Sequence, residues 1–339
     1  MSLAPAERPA PLIPAQVPFR DRLAAAVADR ESSIVLGLDP DPEEVWPEAR
    51  EEAAAWAREF GAAQAREFGG EFAGGEPRES GSDLVGENAS ARARRAAERE
   101  PRASGEDLVV AQCMALIAAA GPACVAIKPQ AARFERLGQP GWRALYRVAE
   151  AGRRAGLLVL LDAKRGDIGV SAEAYAKGLL GFGPGFDADA LTVNPYLGQD
   201  SLEPFLQTGK GIFVLVRTSN PGASDLQDAR LDTGERLWER VAGMVDRLDA
   251  EAVVGATAPE HLRRARELMP RATFLLPGVG AQGGKVDDLA PAFAPGPHGG
   301  LVTASRSIAR AHEQHGGEPA QAARAEAERL REAAWALRA

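Results

Sequence analysis

Cysteine is nearly absent: Cys113 and Cys124 are the 2 in 339 residues. They cannot build a disulfide framework, and without CxxC spacing they form neither a zinc ribbon nor a redox pair, which suits a reducing compartment. Histidine is almost as scarce, at 4. His312 and His315, in AHEQH, lack the spacing of HExxH, and His261 and His298 stand alone. All are expected to be solvated surface side chains, with no metal site. Positive charge is in deficit, and a formal net charge of -8 argues against general affinity for nucleic acid or an anionic membrane. An anionic ligand would need a local basic site. No uninterrupted apolar run approaches the roughly 20 residues that span a bilayer. The opening MSLAPAERPAPLIPAQ has no basic region followed by an apolar stretch. These absences lead to the expectation of a cytoplasmic protein whose residues 1–17 form a flexible arm.

What is present is a repeating alternation. Short aliphatic runs occur at 33–39, 124–128, 156–162, 190–194, 211–217, 252–257, 273–278 and 300–305. Amphipathic stretches separate them, among them 107–121, 142–156, 171–182, 234–249 and 259–269. Strand followed by helix, repeated through the chain, predicts an α/β fold: a single-domain (β/α)8 TIM barrel over 18–317. Residues 60–105 break the pattern between the first and second strands. They are polar, and they hold near-duplicates (PRESGSDLV against PRASGEDLV). The expectation is a mobile or partly helical surface insertion, too polar to pack a core. Residues 318–339 read as a C-terminal helix packed on the barrel or on a second subunit.

The strands end repeatedly in polar residues, and in such barrels the active site lies at those ends. The densest cluster follows the third strand, LLDAKRGDIG at 160–169. Side chains alternate along a strand, so Asp162 and Lys164 point the same way, roughly 7 Å apart. Asp167 lies just beyond, within reach of the same space. Lys128 ends the preceding strand, about 4.8 Å to the side. Two ammonium groups alternating with two carboxylates form a nearly neutral network in which each charge holds its neighbours. The same residues also fit a purely structural ion-pair cluster closing the barrel top.

The stretch DAKRGDIG resembles the signature of orotidine 5'-phosphate decarboxylases, in particular the bacterial subgroup with longer chains. GLDPDPE (37–43), IKPQAARFE (127–135), LTVNPYLGQDSLEPF (191–205), VRTSNPG (216–222), PGVGAQGG (277–284) and TASRSI (303–308) extend the resemblance in order. It implies cofactor-independent conversion of orotidine 5'-phosphate to uridine 5'-phosphate in de novo pyrimidine biosynthesis. Loss of carbon dioxide leaves an in-plane electron pair at C6, which the ring carbonyls cannot delocalise, so preorganised charge must stabilise it. Lys164 then stabilises the anion and protonates it, whereas an arginine would hardly release its proton. The resemblance further implies that Asp162 sits by the departing carboxylate and that Lys128 and Asp167 complete the network. The resemblance places Asp167 in the neighbouring subunit's site, which implies a homodimer. It also implies ribose contacts at Asp39 and, from the other chain, Ser171, and a pyrimidine-edge contact at Ser219. Gln282 and Arg306, after the seventh and eighth strands, are expected to hold the phosphate.

Other readings compete. A magnesium-dependent sugar-phosphate decarboxylase or hexulose-phosphate synthase of the same superfamily shares Asp-x-Lys-x-x-Asp, but relatives of that kind generally carry a carboxylate where Lys128 stands. A Schiff-base aldolase needs a neutral lysine, which flanking carboxylates oppose. A non-catalytic phosphate-binding barrel is weakened because every expected charge is present. Gly278, Gly280 and Gly283 spell GxGxxG, yet no acidic strand end follows about 20 residues later, as a dinucleotide site requires.

Overall fold

The computed structural model describes residues 17–68, 103–181, 185–256, 258–279 and 283–338, and for 60–68 the backbone alone. Eight strands form within these limits: Ile34–Leu38 (β1), Ala126–Pro129 (β2), Leu158–Arg165 (β3), Ala190–Val193 (β4), Gly211–Arg217 (β5), Glu251–Val254 (β6), Phe274–Leu276 (β7) and Gly300–Ala304 (β8). All neighbours pair in parallel, and β1 closes on β8. The result is the TIM barrel that the alternation predicts. Several boundaries shift by one to three residues, and the shift that bears on the site is at β3, which runs on to Arg165 instead of stopping at Asp162.

Strand residues alternate between two apolar clusters. Ile34, Leu36 and Leu38 face the surrounding helices, whereas Val35 points into the barrel with Leu160, Phe213, Leu275 and Leu301. The barrel floor is closed by a helix absent from the sequence reading, Phe19–Arg30 (α1), through Phe19, Leu23 and Val27. These residues recur every four positions, one face of a helix, and each contributes about 1.5–3 kcal/mol by burial. Phe19 meets Phe213 edge-on, with centroids 5.9 Å apart. Arg20 ties the helix to Asp249 and Glu251, and Arg22 ties it to Asp189, all near strand starts.

The outer layer includes Pro47–Phe68 (α2), Gly105–Ala120 (α3), Gln139–Arg154 (α4), Gly169–Leu180 (α5), Leu237–Arg247 (α6), Pro259–Leu268 (α7) and Pro319–Trp335 (α8). Two connections depart from strict alternation. A four-residue helix, Glu203–Leu206, is the α-helix between β4 and β5, and Val286–Phe293 between β7 and β8 is 3-10, with Pro291 inside it. The backbone of residues 60–68 continues α2; residues 1–16 and 69–102 lie outside the described residues. Helix α3 starts at a capping box formed by Ser104 and Asp107. With its extension to Ala123 it spans 19 residues at hydropathy 1.3, long and apolar enough to cross a membrane, yet 61% of that window is buried in the protein. Helix α8 packs against α3 and buries Ala323, Ala327, Leu330 and Ala334.

Candidate active site

The C-terminal strand ends surround a cavity of about 520 Å³. Asp39, Lys128, Asp162, Lys164, Ser219 and Arg306 line it. A second cavity of about 530 Å³, between the loops after β1 and β8, shares Asp39, Gln130, Ser305 and Arg306 with the first.

At the centre is one carboxylate with four donors. Lys128 Nζ donates to Asp162 Oδ2 at 2.7 Å, and Lys164 Nζ donates to Oδ1 at 2.5 Å. Thr192 Oγ1 donates to Oδ1 at 3.0 Å, and Gln130 Nε2 to Oδ2 at 3.3 Å. Lys128 and Asp162 are buried, at 5% and 7% exposure. Burial pushes the Asp162 carboxyl up, but Lys128 and Lys164 outweigh it and hold it far below the usual carboxylate range. Burial likewise opposes the charge on Lys128, and Asp162 with Asp39 keeps its pKa above the ordinary lysine value. Both groups therefore stay ionised at neutral pH. Lys164 differs from Lys128 in access: its side chain is 45% exposed, so the ammonium is held by Asp162 and still open to the cavity.

Thr192 and Gln130 were not singled out from the sequence. Gln130 is one residue past β2, and its backbone forms an isolated bridge to Asp162. Thr192 carried a usable signal: a hydroxyl inside the aliphatic strand ALTV needs a buried partner.

The remaining predicted residues divide by location. Asp39, just past β1, lines the cavity, and its Oδ1 is buried with no hydrogen-bond partner among the described residues. Ser219 lines the cavity from the loop after β5. That loop is pinned by Arg217, bonded to both oxygens of Asp228 at 3.1 and 2.9 Å, and by Thr218 N–H donating to Gln227 at 2.8 Å. Arg306 is exposed and opens a helix of four residues. So short a helix has little dipole, which leaves the guanidinium as the main attraction for an anion. Gln282 and Gly280 lie outside the described residues; Gly278 and Gly283 turn the chain there with φ of 108° and 87°. Asp167 is not joined to the network in its own chain. It accepts the N–H of Ile168 at 2.8 Å, and no ion pair links it to either lysine among the described residues. Ser171 is exposed in the first turn of α5.

Gly37 is required where β1 passes β8: a Cβ there would lie 1.7 Å from Ser305 Oγ. Gly37→Ala is expected to push Ser305 and the adjoining Arg306 outward. The cost is about 1–3 kcal/mol of stability, measured by denaturant unfolding, with weaker binding of phosphorylated ligand. Unchanged stability and unchanged binding together would remove this packing role.

The histidines correct the expectation of solvated side chains. His315 is exposed, but His312 sits edge-on to Trp46 with its Nδ1 buried. His261 packs on Trp238, and burial lowers the pKa of half-buried His298. Tryptophans distant in sequence account for His312 and His261, and Arg20 and Arg266 add to the effect of burial on His298. Among the described residues no group of 3 or more His, Cys, Asp and Glu could hold a metal ion.

Residues 91–325 match the model of the orotidine 5'-phosphate decarboxylase / HUMPS family. The orotidine 5'-phosphate decarboxylase of Rhodopirellula baltica is 45% identical over 221 residues, which cover 60% of this chain and 73% of that protein. The enzyme of the same name from Deinococcus radiodurans is 49% identical over 210 residues, covering 57% and 74%. The solved structure of Leishmania donovani OMP decarboxylase superposes with a TM-score of 0.66 at 31% identity, over 95% of this chain and 99% of that one.

Proposed function

The chain belongs to the orotidine 5'-phosphate decarboxylase / HUMPS family, and from that premise we infer how its own residues carry the reaction. It is a carboxy-lyase that converts orotidine 5'-phosphate to uridine 5'-phosphate in pyrimidine biosynthesis. The observation that carries the residue assignment is the single carboxylate, Asp162, between two ammonium groups at the barrel mouth. The bond from C6 to the carboxylate breaks, its electron pair stays on C6, and carbon dioxide leaves. The charge of Lys164 stabilises that pair, and its Nζ proton then forms the new C6–H bond, after which solvent returns a proton to the amine. Asp162, ionised and fixed by Lys128, aims Lys164 and repels a substrate carboxylate lodged beside it. Asp39 accepts from ribose hydroxyls, Ser219 meets the pyrimidine edge, and Arg306 with Gln282 holds the phosphate.

Asp167 and Ser171 act in the site of a second copy, in a homodimer with shared sites. Two features support this. Among the described residues the Asp167 carboxylate makes no ion pair with Lys128 or Lys164. Around it, Ile168, Val170 and Tyr196 are 57%, 81% and 72% exposed, an apolar surface suited to a partner. A cytoplasmic setting fits the two free, buried thiols.

The magnesium-dependent reading is disfavoured by Lys128, whose ammonium repels a divalent cation from the place where a carboxylate ligand would be needed. The Schiff-base reading fails on the same lysine, which its acidic neighbours keep protonated. Absorbance loss from orotidine 5'-phosphate tests the magnesium reading and the phosphate site together. Turnover is expected to be unaffected by EDTA, and Arg306→Ala is expected to raise KM roughly 10- to 100-fold, the size of a lost charge-assisted bond. Turnover abolished by chelation would return the magnesium reading, and an unchanged KM would remove Arg306 from the phosphate site.

A further inference from the structure

Strands β3 and β4 do not pair evenly beside the catalytic residues. Leu161 stands opposite Leu191, and Arg165 opposite Val193. Asp162, Ala163 and Lys164 therefore all face Thr192. Such a bulge leaves backbone groups that a regular ladder would have paired. Within it Lys164 has a φ of 48°, left-handed backbone that a lysine adopts only where its surroundings hold it. Thr192 supplies the hold. The residue is 3% exposed. Its Oγ1 accepts the Lys164 N–H at 2.9 Å and donates to Asp162 Oδ1 at 3.0 Å. Because the hydroxyl oxygen already accepts from the backbone, its own proton is directed at the carboxylate. Lys164 Nζ reaches the same carboxylate oxygen at 2.5 Å, which closes a ring through the backbone and side chain of one residue.

We propose that Thr192 is a positioning residue for proton delivery: through one hydroxyl it fixes both the strained backbone of Lys164 and the carboxylate that aims its ammonium. Valine has the same shape and cannot do either. With valine, the Lys164 N–H in the bulge loses its acceptor, Asp162 loses one of four donors, and Lys164 relaxes away from the position where C6 forms its bond to hydrogen. A misplacement of about 1 Å is enough to slow a positioned step greatly. Ground-state binding depends on groups elsewhere in the cavity and is spared.

The proposal rests on Lys164 as the proton donor, so three variants are assayed together: Thr192→Val, Thr192→Ser and Lys164→Ala. Thr192→Val is expected to lower kcat roughly 10- to 100-fold, the scale of a lost hydrogen bond to a charged group, with KM within about threefold of the parent. Exchange of the C6 hydrogen of uridine 5'-phosphate with deuterated water, the reverse of the protonation step, is expected to slow in parallel. Thr192→Ser, which keeps the hydroxyl, is expected to restore kcat to within about threefold. An unchanged kcat in Thr192→Val would overturn the proposal, as would a serine variant as slow as the valine one, or a loss confined to KM. An active Lys164→Ala enzyme would instead overturn the donor assignment, so the two failures are told apart. Because serine restores the hydroxyl without the methyl, a general packing defect shows as loss in serine as well.

Discussion

A Lys164→Ala enzyme is expected to lose roughly 10⁴-fold or more of its decarboxylation rate while remaining folded and able to bind uridine 5'-phosphate. The magnitude follows from the two tasks assigned to one ammonium, charge stabilisation at C6 and donation of the proton there. The survival of the fold follows from geometry. Lys164 is 45% exposed at its side chain, so truncation opens no sealed void. Asp162 keeps Lys128 at 2.7 Å, Thr192 at 3.0 Å and Gln130 at 3.3 Å, so its charge is not orphaned. Binding is expected to survive because Asp39, Ser219 and Arg306, the proposed ligand contacts, line the cavity from other strand ends. Lys164→Arg separates the two tasks. It keeps a positive charge but holds its proton too tightly to deliver it, so it is expected to bind product and turn over no faster than the alanine variant by more than about tenfold. Absorbance loss from orotidine 5'-phosphate and a binding titration with uridine 5'-phosphate check both. More than a few per cent of wild-type turnover in Lys164→Ala would take the donor role from this residue.

The ion-pair network proposed as catalytic is legible because it depends on simple rules. Aliphatic runs ending in charge marked the strand ends, and alternation put Asp162 and Lys164 on one side. Lys128 followed from the neighbouring strand, and the 2.7 Å bond to Asp162 is the outcome. The means by which Lys164 reaches its place was not legible. A lysine at φ 48° within a strand is a cost that no local pattern announces. It is set by the mismatch in pairing between β3 and β4, a relation between segments about 30 residues apart. The hydroxyl that satisfies it was visible as a polar residue in an aliphatic run, without any indication of which group it served. Helix α1 is the opposite case. Phe19, Leu23 and Val27 carry a clear helical period, but that a barrel floor needs a plug is a demand of the closed fold, not of the segment. His315 is exposed as its sequence implies, whereas His312 and His261 are not, because Trp46 and Trp238 arrive from distant parts of the chain to pack on them.

Mixing inactive Asp167→Ala and Lys164→Ala subunits is expected to restore roughly a quarter of wild-type activity. Each mutant homodimer alone should be nearly inactive, because every site lacks either the proton donor or the carboxylate from the partner. In a mixed dimer one site lacks both residues, and the other combines Lys164 from one chain with Asp167 from its partner. Random exchange makes about half the dimers mixed, and one of two sites in each is intact, hence the quarter. The placement of Asp167 gives the expectation its physical basis. It lies two residues beyond the end of β3, bonded to the N–H of Ile168, and among the described residues it is tied to neither lysine of its own chain. The exposed side chains of Ile168, Val170 and Tyr196 beside it offer the apolar contact that would carry this loop to a second barrel. Were Asp167 to serve its own chain's site, both sites of every mixed dimer would be damaged and no activity would return. Refolding the two variants together, with one carrying an affinity tag so that mixed dimers are isolated and counted, distinguishes these cases. Inactive mixed dimers would mean that the site is built within one chain, and that Asp167 reaches it by a movement of the loop at 166–169.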